Sequence, residues 1–300
     1  MDGHEFFAMG SDCVVHLHGV SPSAAGPIAR DAEAEVRRIE AKYSRYRPDS
    51  ELSRLNAVAA TGGAASIDPE TRGLIAFAQA CHHKSDGAFD VTSGLLRSAW
   101  DLKRARLPAQ AALNELLPRI GLDKVTLSDA GVAFGSQGME LDFGGLGKEY
   151  AADRAAEICL ELGVRHGFVD FGGDIRVIGP QPDGQPWLIG IRDPSDPDLL
   201  VAEVRVESGA LATSGDYEHY IEVEGRRYSH ILDPRTGWPS RGLSSVTVIT
   251  DRCLVAGSLA TSAMVKGEDG PAWLRGLGVR HILVDDRGQR AGTEPLSSRP

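Results

Sequence analysis

The chain has 300 residues with 42% hydrophobic and 25% charged content, enough for a sizeable core and ordinary for a globular protein. Its net charge of −10 argues against general binding to nucleic acid or anionic membrane, so an anionic ligand would need a local offset from glycine loops, lysine or a metal. No stretch approaches the roughly 20 apolar residues of a membrane span. The start, "MDGHEFFAMGSD", has acids where a signal peptide has bases and lacks an apolar core, so the expectation is a cytoplasmic protein without membrane insertion. Cys13, Cys81, Cys159 and Cys253 are far apart, which supports neither a zinc site nor a disulfide framework.

In chain order, "DCVVHLH" (12–18) alternates like a strand. Ile28, Ala32, Val36, Ile39 and Tyr43 form one helical stripe, with Glu33 and Arg37 paired on the outer face. "YSRYRPDSELSRLN" (43–56) reads as a polar loop. Asp68-Pro69 is an N-cap and first-turn pair for a helix reaching about Lys84, striped by Leu74, Phe77, Ala78 and Cys81. "GVAFGSQGMELDF" (131–143) reads as a hairpin. A helix from about Lys148 to Leu162 follows, with Gly163 as its terminating glycine.

Strands dominate thereafter: "FVDFGGDIRVIG", "WLIGIRD", "LVAEVRV", "HYIEVEGRRYSHI" and "SSVTVIT". A last helix spans about Cys253 to Lys266, then "VRHILVDD" as a strand and "SSRP" as a tail. Strands mostly neighbour strands, so the fold class is α+β with mostly antiparallel sheets. The chain reads as a single domain, with a composition shift near residue 135 as the hint of two lobes.

Several segments could carry chemistry. Gly144, Gly145 and Gly147 lie between an apolar run and a helix, where backbone amides and the helix dipole favour an anion. Lys148 in the first turn suits the dipole only if an anion is also there, and Asp142 precedes the glycines. The pattern is neither G-x-G-x-x-G nor a P-loop, because Glu149 stands where a P-loop needs Ser or Thr. The bland alternative is a glycine turn packing helix on sheet. "DFGGD" (170–174), ending in Asp174, reads alone as a bulge or close crossing. "LATSGDY" (211–217) reads alone as a hairpin loop. In "YSHILDPRTG" (228–237), His230 beside the Asp233-Pro234 turn is an acid–base candidate. His16, His18, His82 and His83 lack a third partner spaced for a metal.

Taken together, "AMGSDCVV", "YSRYRPDSELSRLN", "SDGAFDVTSG", "LDFGGLGKEYAADRAA", "FVDFGGDIRVIG", "LATSGDY", "YSHILDPRTG" and "CLVAGSLATSAMVKG" resemble the FAD:protein FMN transferases of the ApbE type, over almost the whole chain. The resemblance implies a two-lobed, T-fold-like architecture with FAD as substrate between the lobes and Mg²⁺ at the pyrophosphate. It implies transfer of FMN to a threonine hydroxyl of an acceptor flavoprotein carrying a threonine flavinylation motif, with release of AMP. By motif, Met9, Tyr43, Ala88, Phe89, Asp90, Asp142, Lys148, Asp174, Thr213, Ser214, Gly215 and Asp233 would contact the flavin nucleotide. Gly145, through its carbonyl, and Thr261 would bind the metal, and His230 would be catalytic.

One departure stands out. The family's metal helix reads Asp-x-x-x-Thr, and the aligned pair here is Gly257 and Thr261. Three readings stay open: a nearby acid, Asp174 or Asp233, substitutes; the metal is held by FAD phosphates, Thr261, the Gly145 carbonyl and water; or the chain binds FAD without catalysis. An FAD pyrophosphatase, using water as nucleophile, is the remaining alternative. "SGALAT" (208–213) partly resembles an acceptor's flavinylation sequence, but it coincides with the site loop and has Leu211 where acceptors carry Ser or Thr.

Overall fold

The computed structural model describes residues 3–100, 105–217 and 219–297. The chain opens with β1 (His4–Ala8) and β2 (Ser11–His18), α1 (Pro22–Tyr43), α2 (Glu51–Ala59), β3 (Ala64–Ala65) and α3 (Pro69–Lys84). A 3-10 turn over Ser93–Ser98 leads to α4 (Gln110–Leu116), β4 (Val125–Ser128) and β5 (Gly131–Phe134). After α5 (Gly147–Glu161) come β6 (His166–Phe171), β7 (Asp174–Gly179), β8 (Trp187–Asp193), β9 (Asp196–Val206), β10 (Gly209–Gly215), β11 (Tyr220–Val223) and β12 (Arg226–Ser229). The chain ends with β13 (Leu243–Thr250), α6 (Cys253–Lys266), α7 (Gly270–Leu277), β14 (Arg280–Asp285) and β15 (Arg290–Gly292).

The fold is α+β, as expected, around an eight-stranded sheet in the order β1-β2-β6-β7-β10-β13-β14-β15. Its neighbours pair antiparallel throughout. The alternation of strand side chains decides what each face receives. Ala212, Val246, Val248 and Leu283 point to α6 and α7. Their neighbours Leu211, Ile249, Ile282 and Val284 point the other way, onto the β8–β9 hairpin. The α1 stripe foreseen from the sequence packs in the largest core together with α5. Position 135 follows β5, and chain on both sides of it contributes to the main sheet.

Local chemistry explains the helix boundaries. Asp68 caps α3 by accepting the Thr71 amide at 3.1 Å, and Pro69 opens the helix. Gly163, at φ +91, ends α5 in a conformation side chains rarely adopt. Glu33 and Arg37 form the expected pair at 2.7 Å. All four cysteines are free, three of them buried.

Two expectations are corrected. The stretch 43–56 is a polar loop only to Ser50, whose hydroxyl caps α2 by accepting from Ser53 N at 3.0 Å. Leu52, Leu55 and Ala59 bury one short stripe of that helix. The hairpin placed at 131–143 is instead β4–β5, turning before Gly131. Residues after β5 are held outside any ladder by the Asn56 side chain, which donates to Leu141 O at 2.9 Å and accepts from Leu141 N at 2.7 Å. β1, α4 and α7 have no counterpart in the sequence reading. The expected tail lies, apart from Ser297, outside the described residues. Among the described residues, no helix is long and apolar enough to cross a membrane.

Candidate active site

The N-terminus of α5, the start of β7, the end of β10, the segment 230–232 and the middle of α6 converge on one cleft. Its opposite wall comes from residues 88–97.

The three glycines before α5 are not there for backbone conformation, since none has a positive φ. At Gly144 and Gly147 the neighbours leave little space. A Cβ on Gly144 would meet Asp142 Oδ1 at 3.1 Å and Arg97 Nη2 at 3.3 Å, and one on Gly147 would meet the Met9 methyl at 3.2 Å. Gly145 has only Phe89 Cε2 at 3.8 Å, so its backbone borders the open cleft. The "DFGGD" glycines differ: Gly172 (φ +63) and Gly173 (φ +90) turn the β6–β7 hairpin. That turn delivers Asp174, buried at the start of β7, to the cleft.

Lys148 Nζ lies 2.8 Å from Asp174 Oδ2, and Asp174 Oδ1 accepts the Thr213 amide at 3.2 Å. Residues 211–215 of "LATSGDY" end the central strand β10 rather than forming a hairpin loop. Its Thr213 hydroxyl pairs with Thr247 at 2.8 Å, and its Ser214 hydroxyl with Thr261 on α6 at 3.0 Å. Leu211 and Ala212 are buried between β7 and β13, which suits a site strand rather than a modifiable tail.

Asp142 is held from three sides. It accepts from Gly144 N at 2.8 Å and Arg45 Nη1 at 2.7 Å, and Arg97 Nη2 lies 3.2 Å away. Asp90 lines the cleft, but its carboxylate braces the wall: Oδ1 accepts from Thr92 N and Oγ1, and Oδ2 from Leu122 N at 3.0 Å. His230 Nδ1 is 2.9 Å from the His219 carbonyl, which can only accept. Nδ1 therefore carries a proton, and whenever the ring is neutral its lone pair is on Nε2.

Glu149 is the most unusual group. Its side chain lines the cleft, is buried, and its Oε2 has no hydrogen-bond partner. Burial, and then the negative charge of Asp174, hold its pKa well above the carboxylate range, against the opposing charge of Lys148.

Of the residues singled out by motif, Ala88, Phe89, Asp90, Asp142, Gly145, Lys148, Asp174, Thr213, Ser214, Gly215, His230 and Thr261 line this cleft together. Met9, Tyr43 and Asp233 are not among its lining residues. Met9 packs on Gly147 at the entrance of α5. Tyr43 is buried in the core, its hydroxyl 3.1 Å from Thr71 and its ring against Phe143. Asp233 serves its own turn, accepting from Arg235 N and from the Arg235 side chain. The sequence reading missed Arg97, which carries no motif signal, and passed over Gly94, the last residue of "SDGAFDVTSG". It registered Glu149 only as a break in a P-loop pattern. Among the described residues, no three His, Cys, Asp or Glu side chains cluster for a metal ion.

Fold and cleft together define an α+β protein with a glycine-edged, acid-lined site at a helix N-terminus. The comparisons give that class its name: the ApbE family model matches residues 9–283, and the chain belongs to this family. A Rhodobacter capsulatus FAD:protein FMN transferase is 31% identical over 303 residues, covering 98% of this chain and 57% of its own length. A Vibrio cholerae protein of the same name is 35% identical over 238 residues, covering 77% of this chain and 71% of the relative. Among solved structures, an ApbE protein from Thermotoga maritima superposes with a TM-score of 0.89 at 34% identity, covering 97% of this chain and 96% of that one. The Pseudomonas stutzeri flavinyl transferase ApbE gives 0.87 at 30% identity, covering 97% and 94%.

Proposed function

We propose that this chain transfers FMN from FAD to a threonine hydroxyl of an acceptor flavoprotein, releasing AMP, with Mg²⁺ at the pyrophosphate. The observation that carries the reading is the meeting, in one cleft of an ApbE-family fold, of the α5 N-terminus with Lys148 and of His230.

The residues present suit a hard cation. Glu149 has an orphaned buried oxygen, and the Thr261 hydroxyl and Gly145 face the same cleft. The cleft sets Asp90, Asp142, Glu149 and Asp174 against Arg97 and Lys148. Such an excess of acid disfavours a pyrophosphate unless a cation accompanies it. Mg²⁺ is bound by few carboxylates plus substrate phosphates, which matches the lack of a three-ligand side-chain cluster among the described residues. When bound, it would neutralise charge on the phosphoryl oxygens.

The chain's own groups would do the rest. The α5 amides and Lys148 hold the pyrophosphate, and Asp174 aims the ammonium group. His230, with Nδ1 donating to His219 O, takes the threonine proton on Nε2. The threonine oxygen then bonds to the FMN-side phosphorus, and the bond from that phosphorus to the oxygen bridging to AMP breaks.

The test is incubation with FAD, Mg²⁺ and an acceptor flavoprotein, read by acceptor mass and nucleotide analysis. FMN on threonine with one AMP released is expected. Free FMN plus AMP, with an unmodified acceptor, would instead identify a pyrophosphatase, and intact FAD would identify a binding protein.

A further inference from the structure

We propose that Glu149 is the carboxylate ligand of the divalent cation at this site, delivered from α5 into the space that a side chain at position 257 of α6 would otherwise fill. This rests on the metal-dependent reading above.

Gly257 carries the first part of the argument. It sits inside α6, is buried, and has no positive φ, so its backbone does not require glycine. Glycine inside a helix costs about 1 kcal/mol relative to alanine, so something must exclude a side chain. That something is Glu149. An ideal Cβ on Gly257 would lie 2.7 Å from its Cγ, 2.8 Å from its Oε1 and 3.0 Å from its Cδ. The carboxylate thus occupies the volume beside α6 where a residue-257 side chain would begin.

The second part is the state of that carboxylate. Glu149 is 7% exposed, and Oε2 finds no donor. Native folds seldom leave a buried carboxylate oxygen unsatisfied without a role for it. Lys148, its neighbour in sequence, is directed to Asp174, which also faces the cleft. A cation in the cleft would meet the orphaned oxygen. One turn along α6 from Gly257, Thr261 presents its hydroxyl to the same cleft, 3.0 Å from Ser214 Oγ.

The third part is register. Asp153, one turn after Glu149 on α5, accepts the Cys253 and Leu254 amides at 2.9 and 3.0 Å. Cys253 is one turn before Gly257. Two successive turns of α5 therefore meet two successive turns of α6, which fixes Glu149 over Gly257. The space beside Gly257 is taken by Glu149, while Asp174 pairs with Lys148 and Asp233 with Arg235. An acid added at 257 would collide with the one already there.

The experiment titrates Mn²⁺ into the full chain with FAD present and acceptor absent, reading free Mn²⁺ by EPR, with a thermal melt for each variant. Glu149→Gln keeps the shape and removes the charge; it should weaken Mn²⁺ binding by at least about 10–100-fold. Gly257→Asp alone should lower the melting temperature through the clash. The paired swap, Glu149→Gly with Gly257→Asp, should relieve the clash and return Mn²⁺ affinity to within a few fold of wild type. If folded Glu149→Gln binds Mn²⁺ like wild type, the ligand assignment is overturned while the metal reading stands. If wild type with FAD binds no Mn²⁺, the metal reading itself fails and the assignment with it. Should Glu149→Gln not fold, the paired swap decides alone: folded but without Mn²⁺ binding, it overturns the assignment.

Discussion

Oδ1 of Asp153, in the middle of α5, accepts the backbone N–H of Cys253, the first residue of α6, at 2.9 Å. Its other oxygen takes the next amide, Leu254, at 3.0 Å. The residue at the N-cap position, Arg252, makes no side-chain cap bond, so α6 is capped by another helix. Arg176 Nε lies 3.3 Å from the same carboxylate. Asp153→Ala would orphan two amides and remove the carboxylate that faces Arg176. The expected cost is about 2 kcal/mol or more, or several degrees of melting temperature. Asp153→Asn should be milder. It keeps one acceptor, and burial has already pushed the Asp153 pKa up, so the charge is expensive to hold. An unchanged calorimetric midpoint for the alanine variant would show that the cap does not hold the two helices together.

Gly94 illustrates the same logic on the opposite wall. A Cβ there would fall 2.4 Å from Asp142 Cβ and 2.9 Å from its Oδ2. Gly94→Ala should therefore destabilise by about 1–3 kcal/mol through overpacking. FAD affinity should fall with it as Asp142 leaves Arg45 and Gly144. Gly73→Ala is the contrasting case: it lies exposed inside α3 with nothing within 4 Å. There the same change should stabilise by about 0.5–1 kcal/mol. Melting both variants beside wild type tests the pair, and shifts of the same sign would contradict it.

These positions also show what a sequence discloses. Asp68-Pro69 and the Ile28–Tyr43 stripe are local signals, and the structure uses them as read. The motifs that meet in the cleft were legible because each carries its glycine, lysine or histidine in one short segment. Helix α2 was missed because it buries only Leu52, Leu55 and Ala59, too short a stripe to stand out in a polar run. Tyr43 had a motif but also ended a buried stripe, and the stripe describes where it sits. Glu149 could not be placed over Gly257 by any local rule. That requires the register of two helices about a hundred residues apart, set by the hydrogen bonds of Asp153.

Glu70 gives the fold a pH dependence with a definite sign. It accepts from Arg38 at 2.6 Å, Lys42 at 2.6 Å and Tyr150 at 2.8 Å, tying α1, α3 and α5 together. Burial raises its pKa, but those hydrogen bonds outweigh it and bring the value from 4.5 down to about 2. A depressed folded-state value means the stabilisation is present above the unfolded pKa and is lost as pH falls from about 4.5 towards 2. Glu70→Gln should cost about 1 kcal/mol near neutral pH, modest because the network is partly exposed. Its melting temperature should fall less steeply than that of wild type on acidification, and the two curves should approach each other. Parallel curves down to the acid limit would show that Glu70 is not the group responsible.

His230 is the sharpest test of the chemistry. Its Nδ1 is fixed 2.9 Å from a backbone carbonyl, which sets the tautomer. Its ring also packs edge-on against His219 at 5.3 Å. His230→Ala should lower single-turnover FMN transfer by about 10²–10⁴-fold, the usual worth of a positioned acid–base group. FAD affinity, followed by flavin fluorescence, should change little, because on the proposed reading the pyrophosphate is held by Lys148 and the α5 amides rather than by His230. His219→Ala separates positioning from packing. It removes the ring contact but keeps the carbonyl that orients Nδ1, so transfer should stay within a few fold of wild type. If His230→Ala turns over near the wild-type rate at saturating FAD, the imidazole is structural and another group takes the threonine proton. If His219→Ala fails as badly as His230→Ala while both remain folded, the ring contact rather than the carbonyl orients the base.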